Sequence, residues 1–339
     1  MTYPGPMSEF PINLKVVPED PLPREELKRL TQLKPYLFIL DVVFDACVIA
    51  SAIAFSEYFY FNWAAYIIAV VIIGSRINAF SVLMHDTAHF RAFKSKTLNY
   101  IFGEPLAWTL LLTMEGYRRN HLPHHTHLNT LDDPDWVRKI PQQGFHYPKK
   151  RWQFIGDVMT YLSGIGYIGL AKAMLKSEEL KSVPKHIKMV RAAFYLVVLG
   201  ICIYTGTVEK LLLYWIVPLV TVFNTLNWLR SLGEHLGNLE YDHPYHYARS
   251  MKVSWLEAFI LSPHGINYHL EHHLYPHIPY YNLGKLHNML IKQPVFSSKA
   301  HITHGIFTGL LKEILAAPAG PSFAEMVSRQ RKIHPATSA

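Results

Sequence analysis

The chain has 339 residues, of which 50% are hydrophobic and 17% are charged, and a soluble domain usually carries more charge. Its net charge is +8 with the 20 histidines counted as neutral, but neither a nucleic-acid-binding module nor a glycine-rich phosphate loop accompanies it. The two cysteines, Cys47 and Cys202, are too few for a thiolate metal site. The composition therefore favours a membrane protein that has no nucleic-acid partner.

Four apolar runs are long enough to cross a bilayer as helices. They occupy residues 36–55, 63–84, 190–206 and 211–229. Short joints at residues 56–62 and 207–210 connect the first run to the second and the third to the fourth. This pattern predicts an all-α integral membrane fold built from two helical hairpins, hence four transmembrane helices.

Two shorter runs leave an alternative open. Residues 100–114 are interrupted by Gly103 and Pro105, and residues 154–174 are rich in glycine and contain Asp157. Either run could lie along the membrane or re-enter it. Six spans would result if both crossed, and four spans are predicted.

The first apolar run contains an acidic residue near its middle, where an ionised group is costly. Folding the first hairpin about residue 60 brings this residue, Asp45, level with Arg76. One hypothesis is an Asp45–Arg76 ion pair across the hairpin. The other is a neutral or hydrated Asp45 in a helix that starts later in the chain.

Histidines follow the second and fourth runs in clusters. "HDTAH" contains His85 and His89, and His235 ends "GEH" after the fourth run. The spacing His-x-x-His-His occurs twice, in "HLPHH" and "HLEHH", and its members are His121, His124, His125, His269, His272 and His273. At positions i, i+3 and i+4 the rings of each box share one helix face. Pro123 within the first of these boxes predicts a helix that begins near it.

The number of these motifs favours a metal site. Chance would produce roughly 0.07 His-x-x-His-His matches in a chain of this composition. One box alone would be typical of a solvated, histidine-rich helix face, but the whole set indicates metal binding. Nine imidazoles exceed the four ligands of a tetrahedral zinc, and imidazole also suits iron, so a pair of irons is favoured.

Four nearby side chains are candidates for holding the ligand rings in place or offsetting the charge of the metal ions. They are Asp86, Asn227, Glu234 and Glu271. The run Asp132, Asp133 and Asp135 either does the same or forms a surface turn around Pro134. Asn227 and Glu234 follow the fourth apolar run at helical spacing with Asn224 and Ser231, and ordinary hydrogen bonds between helices would explain them equally well.

The order of the boxes and their interleaving with paired spans resembles the integral-membrane fatty acid desaturase family, from about residue 36 to residue 288. The stretch "NYHLEHHLYPHIPYYNLGKLH" resembles that family's third box and its continuation. The resemblance implies a di-iron centre that uses O2 and two electrons to attack an unactivated C–H bond. It implies as ligands His85, His89, His121, His124, His125, His269, His272 and His273, with His235 matching an additional family histidine.

The resemblance leaves the reaction and the substrate open. Carotenoid ketolases and hydroxylases are similar, and "LDDPDW" after the second box is shared with the ketolases. The expected substrate is a fatty acyl chain on a lipid, coenzyme A or acyl carrier protein, in an apolar tunnel with Trp108, Trp136, Trp228 and Trp255 as candidate walls or interfacial anchors. Because the haem motif of a fused cytochrome b5 is absent from this sequence, a separate ferredoxin or cytochrome b5 is expected to donate electrons.

A metal transporter or a haem carrier is the non-enzymatic alternative. A transporter is expected to place its ligands near the middle of the bilayer, and a haem carrier to pair single histidines within spans. Here the clusters lie just past the span ends, which favours the enzyme.

The charge distribution orients the chain. Lysines and arginines crowd residues 24–34 and 91–151 and are nearly absent from the two joints. By the positive-inside rule, both termini and the histidine clusters are predicted to be cytoplasmic. The chain is then one membrane domain of residues 1–339. It comprises an N-terminal segment (1–35), the first hairpin (36–84), a cytoplasmic or interfacial region with boxes one and two (85–189), the second hairpin (190–232) and a cytoplasmic helical cap with box three (233–339).

Overall fold

The computed structural model describes residues 18–59, 62–176, 181–236 and 243–316, together with residues 324, 325 and 328. These residues are mostly helical. The helices are α1 (Arg24–Leu30), α2 (Pro35–Tyr58), α3 (Trp63–Ala88), α4 (Lys96–Thr109), α5 (Met114–His127), α6 (Pro134–Lys139), α7 (Arg151–Leu162), α8 (Ile165–Lys176), α9 (Lys185–Thr205), α10 (Val208–His235), α11 (Trp255–Ile260), α12 (His269–Leu274), α13 (Tyr280–Leu290), α14 (Pro294–Lys299) and α15 (Leu311–Leu315). The strands β1 (Ser250–Lys252) and β2 (Ile302–His304) pair in parallel, with Ser250 opposite Ile302.

Short stretches of other helix types connect these elements. Single 3-10 turns occur at Gln143–Phe145, Pro244–His246 and Pro263–Gly265. Helix α10 contains two π-helical stretches, Leu212–Ile216 and Leu219–Phe223, and a third, Ile306–Leu310, precedes α15.

Four of the described helices, α2, α3, α9 and α10, are long and apolar enough to cross a membrane. This agrees with the predicted four spans. The two doubtful runs form shorter helices: α4 ends at Thr109, and residues 154–174 are divided between α7 and α8 at Gly164, whose φ is +82°. The two-hairpin arrangement and the cytoplasmic position of the cap stay predictions.

The two spans that carry histidines extend beyond their apolar runs. Helix α3 has 26 residues and α10 has 28, so they are about 39 and 42 Å long at 1.5 Å per residue. The hydrocarbon core of a bilayer is only about 30 Å thick. One end of each helix can therefore project past the core, and the projecting ends bear His85 and His235.

Helices α3 and α10 also pack closely against each other. A Cβ atom added at Gly74 of α3 would lie 2.5 Å from the Cβ atom of Val222 in α10, closer than side chains tolerate. Small residues allow this kind of approach between membrane helices. Most of α3 is buried, whereas α9 has no buried residue among those described, so α3 is the central helix of the bundle.

The predicted ion pair within the first hairpin is confirmed. Arg76 Nη1 lies 2.9 Å from Asp45 Oδ1, and both side chains are almost fully buried. The other carboxylate oxygen, Oδ2, lies 2.8 Å from Nε2 of His264, and Arg76 also donates to the carbonyl of Phe259. Asp45 is therefore neither unpaired nor hydrated, and it joins α2 to α3 and to the segment that leads into α12.

That segment also contacts the central span. Ser75 Oγ and Asn78 Nδ2 of α3 donate to the carbonyls of Phe259 and Leu261, over 3.1 Å in both cases. The outer face of α11 is apolar, with Trp255 80% exposed, and tryptophan at such a position suits a bilayer interface. Helix α11 is therefore a part of the C-terminal region that packs against a span.

Replacing Asp45 should destabilise the protein strongly, because Arg76 would remain as an uncompensated buried charge. We expect Asp45→Leu to lower the free energy of unfolding by about 3–5 kcal/mol, and Asp45→Leu/Arg76→Met to recover most of this. Thermal or denaturant unfolding in detergent measures both effects. Glu26→Gln is the control, since it removes only the exposed Glu26–Arg29 pair; equal effects of Asp45→Leu and Glu26→Gln would contradict the account.

Candidate metal centre

All nine histidines selected from the sequence converge on one region of the fold. They come from four segments: the end of α3 and its C-cap, the second half of α5, the last residue of α10, and α12. They form one group of five, His85, His89, His121, His125 and His272, and one group of four, His124, His235, His269 and His273. Within each group the ligand nitrogens lie within 4.8 Å of one another.

In the five-histidine group, three pairs of Nε2 atoms lie at contact distance. His121 Nε2 is 2.9 Å from Nε2 of His89 and 2.9 Å from Nε2 of His125, and His125 Nε2 is 3.0 Å from Nε2 of His272. The ring of His85 completes the group, with its centroid 4.5 Å from that of His272. Each of the three helices α3, α5 and α12 therefore contributes to this group.

The four-histidine group is built in the same way. His235 Nε2 lies 3.1 Å from Nε2 of His124 and 2.8 Å from Nε2 of His269. His273 Nε2 lies 3.1 Å from Nε2 of His269. The rings of His125 and His273 stack with their centroids 4.2 Å apart, so the two groups are in contact.

Hydrogen bonds alone do not account for these contacts. A neutral imidazole nitrogen has either one N–H or one lone pair in the ring plane, which directs one hydrogen bond. Nε2 of His121 and Nε2 of His125 each lie at contact distance from two other Nε2 atoms, so these contacts cannot all be well-directed hydrogen bonds. Imidazole nitrogens bind a divalent metal ion at about 2.1 Å, so two ligands at about 90° to each other lie about 3.0 Å apart. The observed separations fit nitrogens that share a metal ion, and the residues present therefore fit the metal that the motifs imply.

The protonation states of the rings also suit metal binding, which requires neutral imidazole. Burial is the main cause that lowers the pKa of these rings well below the ordinary 6.5, and neighbouring histidines and arginines lower it further. This holds for His89, His121, His125, His269, His272 and His273. These rings are consequently uncharged at neutral pH.

Two ligand candidates of the four-histidine group are held in place through their second nitrogen. His124 Nδ1 lies 2.9 Å from Oδ2 of Asp133, and His235 Nδ1 lies 3.1 Å from the carbonyl oxygen of Tyr247. Asp133 is fully buried and also caps α6 through Oδ1. Both predicted roles of this aspartate run therefore meet in Asp133, which forms the turn before Pro134 and orients a histidine.

The other candidates differ from that pattern. Glu234 Oε1 lies 3.7 Å from Nδ1 of His269, beyond hydrogen-bond distance. Asp86 Oδ1 accepts from the backbone N–H of Tyr280, over 3.3 Å. Within the described part of the chain, neither Asp86 nor Asn227 forms a hydrogen bond to a clustered histidine.

Glu271 holds a histidine outside both groups. Its Oε1 lies 2.5 Å from Nδ1 of His287, and its Oε2 accepts from the hydroxyl of Ser250. Glu271 follows His269 by two residues, which turns it about 200° around the helix. It therefore faces away from the ligands and fixes the back of α12 to β1 and α13.

The expected start of the second box's helix is wrong. Helix α5 begins at Met114, nine residues before Pro123, and continues to His127 with the proline inside it. A proline at such a position removes one backbone hydrogen bond. The helix has strong support elsewhere, since Thr113 caps it and Tyr117 stacks on His121 with ring centroids 5.0 Å apart.

A cavity of about 190 Å³ opens against the histidines. Five of them line it: His85, His121, His124, His235 and His269. Much of the remaining wall comes from α5, α6 and α10, and α3, α7, α8, the segment between α4 and α5, the turn at Gln143–Phe145 and Ile266 also contribute. Of the four candidate tryptophans, Trp228 lines this cavity, and Trp108, Trp136 and Trp255 do not.

This cavity is not lined by apolar side chains alone. Charged side chains contribute to its wall, and one of them, Arg230, was not among the candidate site residues from the sequence. The signal was present, because Arg230 lies among the polar residues Asn227, Ser231 and Glu234 on α10. Such a series of polar residues on one membrane helix usually faces the interior of the bundle.

Comparison with known proteins identifies the family. Residues 61–304 match the family model described as "Fatty acid desaturase". The chain is similar to dihydrorhizobitoxine desaturase of Bradyrhizobium elkanii, with 30% identity over 308 residues that cover 84% of each chain.

Two further relatives are more distant. The chloroplastic omega-6 fatty acid desaturase of Spinacia oleracea is 25% identical over 235 residues, which cover 62% of this chain and 50% of the relative. The sn-1 oleoyl-lipid 12-desaturase of Anabaena variabilis is 23% identical over 248 residues, which cover 65% and 67%. The family match and these similarities agree with the histidine motifs and the four apolar helices, and the chain belongs to the fatty acid desaturase family.

Proposed function

We propose that this protein is a membrane-bound, O2-dependent desaturase whose two histidine groups each hold one iron ion. The observation that carries the proposal is the convergence of nine imidazoles in two adjoining groups beside a cavity, in which six pairs of nitrogens lie 2.8–3.1 Å apart. Family membership supports the oxidoreductase class and the use of iron. The proposed ligands are the nine histidines of the two groups.

The proposed reaction forms a double bond between two adjacent carbons of an alkyl chain. Two hydrogens of the substrate, two electrons and two protons reduce O2 to two molecules of water. Bound iron would supply the reduction of O2 and the oxidising power needed for an unactivated C–H bond. The family supports a fatty acid as the source of the alkyl chain, whereas the B. elkanii relative is named for a different substrate.

The protein's own residues would bind the metal ions, orient the ligand rings and shield the site from bulk water. Burial keeps six of the imidazoles, those of His89, His121, His125, His269, His272 and His273, neutral at neutral pH, so these rings can bind metal without losing protons. Asp133 and the Tyr247 carbonyl fix two rings of the four-histidine group, and such partners raise the affinity of a histidine for metal. Substrate in the cavity would approach the groups from the side lined by His85, His121 and His269.

We further infer that the histidine end of the bundle faces the cytoplasm and receives electrons from a separate donor protein of the ferredoxin or cytochrome b5 type. The inference rests on the positive-inside rule. Arg91, Arg118 and Arg119 lie near the histidines, whereas Lys210, at the opposite ends of the spans, is paired with Glu57.

Removal of a ligand from either group should abolish desaturation. We expect His272→Ala and His273→Ala to lower turnover by more than about 100-fold, since even the hydrogen-bond partners of metal ligands matter by 10–100-fold. The assay uses purified, iron-loaded protein with ferredoxin, its reductase and O2. Mass spectrometry distinguishes a product that lacks two hydrogens from a hydroxylated one.

His277→Ala is the matched control, since His277 lies beyond the third box and outside both groups. It should retain wild-type turnover. Similar turnover in all three variants would show that the clustered histidines are not the reaction centre. A product that is exclusively hydroxylated would show that the reaction is hydroxylation and contradict the proposed desaturation.

The carboxylate of Asp133 should strengthen metal binding at the four-histidine group. Asparagine caps helices as well as aspartate, so Asp133→Asn keeps the cap and changes the group that faces His124 and the backbone N–H of Asn129. We expect about a 10–100-fold loss of metal affinity at that group, measured as iron retained against a chelator. Asp132→Asn, at an exposed neighbour in the same run, should retain iron like the wild type; equal retention in both variants would remove the role of Asp133.

A further inference from the structure

The cavity beside the histidines contains more charge than a hydrocarbon chain would need. Its wall includes three cationic side chains, Arg138, Lys139 and Arg230, and two carboxylates, Asp135 and Glu234. These five side chains together carry one net positive charge. Arg138 and Lys139 are both paired with Asp135, so Arg230 is the cation to be explained.

Arg230 is only partly satisfied by its protein neighbours. Its Nη1 donates to Ser81 Oγ over 3.1 Å and, at the limit of hydrogen-bond distance, to Asn78 Oδ1 over 3.5 Å. Its Nε lies 2.9 Å from Glu234 Oε1, yet both of these buried atoms lack a hydrogen bond among the described residues. An arginine that served only to neutralise Glu234 would point its Nε–H at that oxygen. Within the described residues, Nη2 has no acceptor at all.

Other polar side chains of the cavity wall also lack hydrogen-bond partners among the described residues. The side chains of Asn120, Asn227 and Ser231 line the cavity and are half-buried. None of the three forms a hydrogen bond to another described residue. Polar groups removed from water are normally paired, so an alkyl chain packed against them would be bound poorly. A ligand with oxygen atoms would satisfy them.

These groups lie together on one side of α10. Asn227, Arg230, Ser231 and Glu234 follow each other at spacings of three, one and three residues, which places them on one helix face. Arg230 precedes His235 by five residues, or about 7.5 Å along the helix axis. A ligand held at Arg230 would therefore reach the four-histidine group with a short alkyl chain.

The geometry points to a small free carboxylic acid as the substrate, with its carboxylate bound by Arg230 inside the cavity. The planar guanidinium binds carboxylates through paired hydrogen bonds. The cavity, at about 190 Å³, is smaller than the roughly 300–1,000 Å³ of pockets for drug-sized ligands. This inference rests on the proposed function, and it replaces acyl lipid, acyl-coenzyme A and acyl carrier protein by a free acid.

The test measures ligand binding by the iron-loaded full-length protein in lipid nanodiscs. The probes are hexanoate, hexylamine and palmitoyl-coenzyme A, and the readout is the dependence of the unfolding temperature on probe concentration. Hexanoate should stabilise the wild type, and hexylamine should not. Arg230→Gln should weaken hexanoate binding by about tenfold or more, as expected for hydrogen bonds to a charged group.

Two further variants keep the test decisive. Arg29→Gln makes the same change at an exposed arginine and should leave hexanoate binding unaltered. Asn227→Leu adds apolar surface to the same subsite and should weaken hexanoate binding severalfold, which carries the test if Arg230→Gln fails to fold. Stabilisation by palmitoyl-coenzyme A without hexanoate binding, or hexanoate binding that Arg230→Gln leaves unchanged, would overturn the inference.

Iron content of the same samples separates this inference from the proposed function. Retained iron without Arg230-dependent binding of hexanoate would refute the free-acid substrate alone. Arg230-dependent binding by a protein that retains no iron from the loading step would refute the iron-dependent desaturase and leave the carboxylate site standing.

Discussion

The close approach of buried imidazole rings sets the main constraint on this structure: nine rings converge in two adjoining groups, and six pairs of their nitrogens lie 2.8–3.1 Å apart. Two neighbouring imidazolium ions at 3 Å would repel each other strongly in a buried site. Burial inside the bundle keeps His89, His121, His125, His269, His272 and His273 neutral, and a metal ion can then draw several rings together. Helices α3 and α10 are long enough for the ends that carry histidines to project past a bilayer core.

The third box depends on two buried carboxylates that contact no metal ligand. Asp45 joins α2 and α3 to His264, just before α12. Glu271 joins the back of α12 to His287 and Ser250. The position of three of the nine histidines is thus fixed by polar contacts on both sides of a helix of only six residues. A helix this short has little stability of its own, so its surroundings must define it.

Sequence patterns predicted which histidines come together, because periodicity indicates which side chains share a helix face. The nine histidines and the Asp45–Arg76 pair follow from spacing and from the folding of a hairpin. The division into five and four does not, because it depends on which rings from separate segments meet. Three further features could not be predicted from the sequence either. They are the direction of the Glu271 side chain, the continuation of α5 through Pro123, and the contacts of α11 with α3. Each of them is decided by tertiary packing.

The lining of the cavity, which bears on function, could not be predicted from the sequence either. Membership of the family and an apolar composition both favour a hydrocarbon tunnel, whereas the structure lines the cavity with Arg230, Asn227 and Ser231. Polar residues on a span are readable from the sequence, but the space that they face is not. The class of substrate therefore depends on the side chains that line the cavity in the folded protein, whereas the histidine boxes indicate only the chemistry of the metal site.

The central claim is that the two histidine groups hold one iron ion each. Its most direct test is the iron content per chain of the purified full-length protein, combined with X-ray absorption at the iron edge. The account predicts two irons per chain, with nitrogen neighbours at about 2.1 Å. A single iron per chain, or irons surrounded mainly by sulfur, would contradict it.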